Sequence, residues 1–155
     1  MRRSDKEIVH RDEMFHIMDR ALYCHVALSA DGEPYIIPMS FGRVADSVFI
    51  HTAHVGEKVH IISKNPIVRL AFECDVKLVT SLSEACNWSF SFFSVVARGI
   101  IHELTDLNQK KNGLAAIMAH YSDKEWGFPE VSIERVRVWE IPLGEMTGKK
   151  AHDKT

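Results

Sequence analysis

Alternation of apolar and polar side chains, restarted after each short turn signal, constrains this chain more than any other feature. From Tyr23 to Ser29, Cys24, Val26 and Leu28 stand against Tyr23, His25, Ala27 and Ser29, the period-two pattern of a strand with one face buried. Asp31-Gly32 turns the chain, and PYIIPMSFGR (34–43) pairs back as a second strand, with Pro38 removing a backbone donor and so marking an edge or a bulge. A third strand begins at Asp46 and ends at His51, and a fourth covers IVRLAFEC (67–74). A long fifth runs from Trp88 to Glu103, with a bend or close backbone approach at Gly99. The sixth runs from Ile133 to Ile141, with Val136 and Val138 opposite Arg135, Arg137 and Trp139.

Helices interrupt these strands at three places. Ser4, with Glu7 at capping-box spacing, starts a first helix on which Met14, Phe15, Met18, Ala21 and Leu22 recur at helical intervals. Val55, Val59 and Ile62 form one face of a short helix that stops at Asn65-Pro66, because proline disfavours helix in the residue before it. Asp106 caps a third helix carrying Leu114, Ile117, Met118 and Tyr121. About six strands, with helices at the start, middle and penultimate position, are too many for a ferredoxin-like layer and suit a small closed barrel. Residues 75–87 read as a polar loop with room for one turn of helix, and the polar end of the chain, about 148–155, reads as a mobile tail. With 155 residues, 46% of them hydrophobic, the chain is the size of one domain with a real core.

The same composition narrows function. A formal charge of −2 gives no basic field for nucleic acid or an acidic membrane surface. Cys24, Cys74 and Cys86 are odd in number, lack C-x-x-C spacing and sit among apolar or strand-like neighbours, so buried reduced thiols are the expectation. MRRSDKEIVHRDE lacks the apolar region of a signal peptide, and no segment approaches the roughly 18 apolar residues of a membrane helix. A cytoplasmic protein acting on a small molecule or a protein partner is the expectation.

One stretch carries chemistry: IHTAHVGEKVHIISKNP (50–66). A helix beginning near Gly56 presents unbonded N–H groups and the positive end of its dipole, which attract an anion. Thr52 adds a hydroxyl, Gly56 permits close approach, and Lys58 places a cation in the first turn. These residues also fit ordinary turn chemistry with a solvated lysine, so spacing alone leaves a phosphate cradle and a plain turn both open. His51 and His54 have H-x-x-H spacing without a third ligand nearby, so no metal site is expected. His51 fits a proton donor or hydrogen-bond partner, or a histidine satisfied inside the barrel.

The order PYIIPMSFGR, VFIHTAHVGEKVHIISKNPIVRLAFE and FSVVARGIIHEL resembles the FMN-binding split-barrel superfamily of pyridoxamine 5′-phosphate oxidase, in particular its nitroimidazole-resistance branch. The likeness runs from about Arg3 to Lys149. It implies a six-stranded antiparallel split β-barrel and FMN as cofactor. Pro38, Met39, Ser40 and Phe41 inherit the strand along the flavin ring, and His51, Thr52, Gly56 and Lys58 the site of its phosphate. Phe93 and Ser94 inherit contact with the flavin of a second subunit, so a homodimer with flavin at its interface follows from the resemblance.

Two departures qualify what the family implies. Glu57-Lys58 stands where oxidases carry Arg-Lys, removing one cation and adding an anion at the phosphate. EIPLGEMTGKKAHDKT has no counterpart of the oxidases' segment for pyridoxal phosphate, so oxidation of pyridoxamine phosphate is not expected and Trp139 reads as core or interface. The resemblance implies an FMN-dependent reductase of small electron-poor molecules such as nitro compounds or quinones, with His51 as the one candidate catalytic side chain. A non-catalytic flavin store or sensor, and a haem-binding protein using some of the nine histidines, are the alternatives.

Overall fold

The computed structural model describes residues 4–151. In chain order the elements are β1 (Glu7–Ile8), α1 (Arg11–Arg20), β2 (Cys24–Ala30), β3 (Glu33–Met39), β4 (Gly42–Val44), β5 (Ser47–Thr52), α2 (Glu57–Lys64), β6 (Ile67–Val79), β7 (Ser89–Ile100), β8 (His102–Leu104), α3 (Leu107–Tyr121), α4 (Glu130–Glu134) and β9 (Arg137–Ala151). Hydrogen-bonded neighbours follow the path β3-β2-β6-β7-β9-β5-β4, with β1 and β8 also on β9, and each pair is antiparallel.

Strand β9 makes this sheet a split barrel. Its first half pairs with β5 and β8, and its second half pairs with β7 and β1. The two ends of the path, β3 and β4, are joined through Ser40 and Phe41 alone but do not pair with each other. Inside lie Val26, Ile50, Leu70, Phe72, Val95 and Ile141, all fully buried. Each such side chain contributes about 1.5–3 kcal/mol relative to exposure.

The described residues form nine strands rather than the six read from the sequence. PYIIPMSFGR is two strands, because Ser40 and Phe41 hand the chain from one part of the sheet to the other. The long fifth strand divides at Ile101 into β7 and β8. Ile8 is buried as a strand residue beside Gly148, so the 3-10 turn at Ser4–Lys6 leads into β1 and the helix starts only at Arg11, without the Ser4 cap. Gly99 does mark a close approach, since a Cβ there would lie 2.4 Å from Ile141 Cγ2.

Other boundaries moved for packing reasons. Strand β6 continues to Val79, past an irregularity between Cys74 and Lys77, so much of the stretch expected as a loop is a two-stranded extension, closed by a 3-10 turn at Ala85–Asn87. This extension leaves the core, and with it the alternation that one buried face imposes. Val55 is exposed outside α2, whose buried residues are Val59, Ile61 and Ile62. Ile133 belongs to α4, and β9 starts at Arg137. Val138 and Trp139 are both buried, because Val138 lies against Gly113 of α3 while Trp139 points inward to Thr52. Residues 148–151, expected in the polar tail, are the paired end of β9, and the rest of that tail lies outside the described residues. Asp106 caps α3 as expected, accepting from Gln109 N–H at 2.9 Å.

Helix α3 fixes the start of β4. A Cβ on Gly42 would lie 2.1 Å from the Ala116 carbonyl oxygen, so only glycine lets the helix backbone approach this closely. Farther along α3, Tyr121 Oη donates to Leu22 O (2.9 Å) and accepts from Phe41 N–H (3.2 Å). His120 rests on the Phe41 ring, with centroids 4.3 Å apart. The crossover at Phe41 is thereby held from both sides, and its position fixes where β3 ends.

Candidate functional site

The site follows from where pairing stops. Strand β4 bonds to β5 only from Val44↔Ser47 to Gly42↔Phe49. Carried two residues further, the same register would set Ser40 opposite His51, but no pairing occurs there. On its other side β5 stays bonded to β9 as far as Thr52↔Arg137. Among the described residues the last of β5 thus keep one edge without a strand partner, and so does β3, which pairs there with β2 alone. Two unpaired edges with unspent backbone donors and acceptors leave the split of the barrel from neighbouring positions.

Helix α2 follows directly. Its C-terminal end is tied to the β2–β3 turn by Lys64–Asp31 (2.5 Å) and by Asn65 Nδ2 donating to Ser29 O (3.0 Å). The Lys64 contact holds the Asp31 carboxyl below its ordinary pKa. At the other end Gly56 has φ 134°, a conformation that side-chain-bearing residues rarely adopt. Gly56 O accepts from Val59 and His60, and no side chain caps the helix, so the first N–H groups remain available. Lys58 is half-buried and has no ion-pair partner among the described residues, while Glu57 beside it is exposed.

His51 and Thr52 differ in what they offer. His51 Nδ1 is enclosed and has no hydrogen-bond partner among the described residues, and burial lowers the imidazole pKa below its ordinary 6.5. An enclosed polar atom without a partner costs about 1–3 kcal/mol unless something satisfies it. The Thr52 hydroxyl, by contrast, donates to Ala53 O (2.8 Å) and accepts from Trp139 Nε1–H (3.0 Å), and the residue is only 4% exposed. Its proton is spent within the barrel, so Thr52 anchors the strand end. His54 faces away, with Nε2 2.6 Å from Glu134 O, and no group of three His, Cys, Asp or Glu side chains among the described residues could hold a metal.

The profile of the family described as pyridoxamine 5′-phosphate oxidase matches residues 10–150. This chain belongs to that family. A candidate 5-nitroimidazole antibiotic resistance protein of Bacteroides thetaiotaomicron is 29% identical, with a TM-score of 0.82 over 92% of this chain and 85% of the other. The flavocytochrome Anf3 of Azotobacter vinelandii (21% identity, TM-score 0.85, 98% and 72% of the two chains) shares the fold. So does the FAD and haem binding protein of Mycobacterium smegmatis (18% identity, TM-score 0.84, 95% and 74%). No curated protein matches the sequence. No helix among the described residues is long and apolar enough to cross a membrane.

Against this family frame the structure sorts the residues singled out in the sequence. Pro38, Met39 and Ser40 lie at the free edge of β3 or just beyond it, with Ser40 exposed. Phe41 is fully buried on Phe72, and its N–H is bonded to Tyr121, so neither its ring nor its amide faces the cleft. Ser94 and Phe93 lie elsewhere: Ser94 pairs with Lys149, eleven residues along β9 from Val138, the partner of His51. At about 3.3 Å per residue this is more than 30 Å of strand. Phe93, opposite the buried Cys74, packs against the core, while Ser94 lies on the outer face. Trp139, Tyr121 and His120 support the site without an advance signal, because pairing them with Thr52, Phe41 and Ala21 depends on contacts across the fold.

Proposed function

We propose that the protein is an FMN-binding oxidoreductase that reduces small electron-poor molecules of the nitroaromatic or quinone type. The observation that carries this reading is the join at the end of β5. An uncapped helix N-terminus with an unpaired lysine, an enclosed and unpartnered His51 Nδ1, and two unpaired strand edges converge where the barrel splits. These are a phosphate site, a hydrogen-bonding residue and a ribbon of backbone donors and acceptors, which together suit a flavin mononucleotide. Lys58 and the first N–H groups of α2 hold the phosphate, and the edge of β3 orients the polar side of the ring. When bound, FMN supplies the redox chemistry. Burial favours the neutral imidazole of His51, so this residue serves as a hydrogen-bond partner rather than as a strong acid.

The reading includes a homodimer. Ser94 pairs with Lys149, eleven residues along β9 from the partner of His51, and a second copy can bring its own Ser94 to the cleft. The start of β7 also carries Phe90, 53% exposed and opposite Leu78 of β6, just after Trp88, 52% exposed at the end of the preceding turn. A soluble chain with such a continuous apolar strip favours a partner that covers it.

Titration of flavin-free protein with FMN, followed by flavin fluorescence, tests the proposal. Saturable binding, an oxidised flavin spectrum and bleaching by a reduced nicotinamide are the expected results. Binding without bleaching by any two-electron donor would leave a flavin store. A Soret band on purification, or no FMN binding, would overturn the reading.

A further inference from the structure

Between the strands that carry the proposed flavin contacts lies a cavity of about 260 Å³, walled by Arg20, Leu22, Tyr23, Glu73, Asp75 and Val76. Its place in the sheet is fixed by register. Glu73 is the direct partner of Ser94, and Tyr23 immediately precedes Cys24, whose partners are Met39 on β3 and Phe72 on β6. Carried one step beyond those pairs, the same register sets Ser40, Tyr23 and Glu73 in line with Ser94, the partner of Glu73.

The wall chemistry is selective. Leu22, Tyr23 and Val76 are exposed although apolar, and the Tyr23 ring is held edge-on to His25 at 5.3 Å. Arg20 and Asp75 pair with each other, so each neutralises the other's charge. Glu73 is different. Its nearest basic contact among the described residues is His25 Nδ1 at 3.7 Å, too long for a hydrogen bond, and no hydrogen bond to its carboxylate forms among them. An aromatic face and aliphatic edges beside a carboxylate with unspent acceptors match one kind of ligand.

We propose that this cavity binds a small planar aromatic molecule carrying a positively charged nitrogen. The Glu73 carboxylate takes the charge, the Tyr23 ring lies against the cation or the ring plane, and Leu22 and Val76 bury the edges. The volume admits a single ring system rather than a larger ligand. Its role as the substrate pocket rests on the flavin reading above, since only that reading places a reactive group beside Ser40 or a partner's Ser94.

Benzamidinium, benzoate and neutral benzamide serve as probes, titrated into the flavin-free full chain and followed by amide NMR shifts. Saturable shifts at Tyr23, Glu73 and Val76 with benzamidinium, and none with benzoate, are expected. Glu73→Gln should weaken benzamidinium by about tenfold, and Leu22→Ala, at an exposed edge, severalfold, with melting temperatures unchanged. Equal binding of benzoate, or unchanged binding in both variants, overturns the site. Repeating the titration with FMN bound separates the two readings. Benzamidinium binding that perturbs the flavin spectrum supports the substrate role, while binding that leaves the spectrum unchanged refutes that role and keeps the cavity. Loss of FMN binding alone would refute the flavin reading and leave the cavity result standing.

Discussion

Lys58→Ala discriminates the phosphate assignment from every structural role the lysine could have. Its ammonium has no carboxylate partner among the described residues, so truncation strands no buried charge and breaks no ion pair. It sits in the first turn of α2, next to N–H groups that no side chain caps. A charge-assisted hydrogen bond contributes about 1.5–3 kcal/mol, and half-exposure places Lys58 toward the lower end, where about 1.4 kcal/mol corresponds to tenfold in Kd. FMN should therefore weaken by about tenfold, up to roughly a hundredfold if the phosphate excludes water. Riboflavin, which has no phosphate, should change by less than about twofold, well inside the charge-assisted range. Fluorescence titrations of both ligands on flavin-stripped protein, at one ionic strength, measure the two constants. Equal losses for FMN and riboflavin would refute the assignment. Glu57→Arg extends the test: it should tighten FMN and leave riboflavin unchanged if that side chain faces the phosphate.

Gly42→Ala should lower stability by several kcal/mol, read as a falling Tm, because the new methyl meets the Ala116 carbonyl backbone at 2.1 Å and neither strand nor helix can yield cheaply. His51→Asn should flatten the acid side of the stability profile. Burial lowers the folded-state pKa of His51, so the unfolded chain takes up the proton first, and stability present above about pH 6.5 is lost as pH falls below it toward the folded value. Urea denaturation from pH 7.5 to 5 should show a steeper loss in the wild type than in the variant, and parallel slopes would count against the buried imidazole. Phe90→Asp, at an exposed position of the β7 strip, should reduce the mass by light scattering from two chains to one and weaken FMN together with dimerisation. A monomer that keeps full FMN affinity would remove the shared site. Phe93 is unsuitable for this test, because its packing against the core would confound dimerisation with folding.

Much of this protein is determined by local sequence. Strands β2, β5 and the first part of β6 alternate because one face is buried, and that pattern is visible residue by residue. Asp106 and the Asn65-Pro66 stop act within a few residues, so the ends of α3 and α2 are readable in advance. Gly56 and Lys58 are legible for the same reason, since the start of a helix is a local event. Tertiary structure decided the rest. That Ser40–Phe41 is a crossover and that β9 serves both halves of the sheet depend on partners tens of residues away, and that β1 closes on the end of β9 depends on partners more than a hundred residues away. The Thr52 hydroxyl turns inward because Trp139 meets it, and Phe93 points to the core while Ser94 does not because β7 is held in register by Cys74 and Glu73. A short-range pattern reports which residues are apolar and how often they recur. It carries no information about which distant atom will satisfy a given donor, and in this fold that long-range pairing selects the residues left free to hold a ligand.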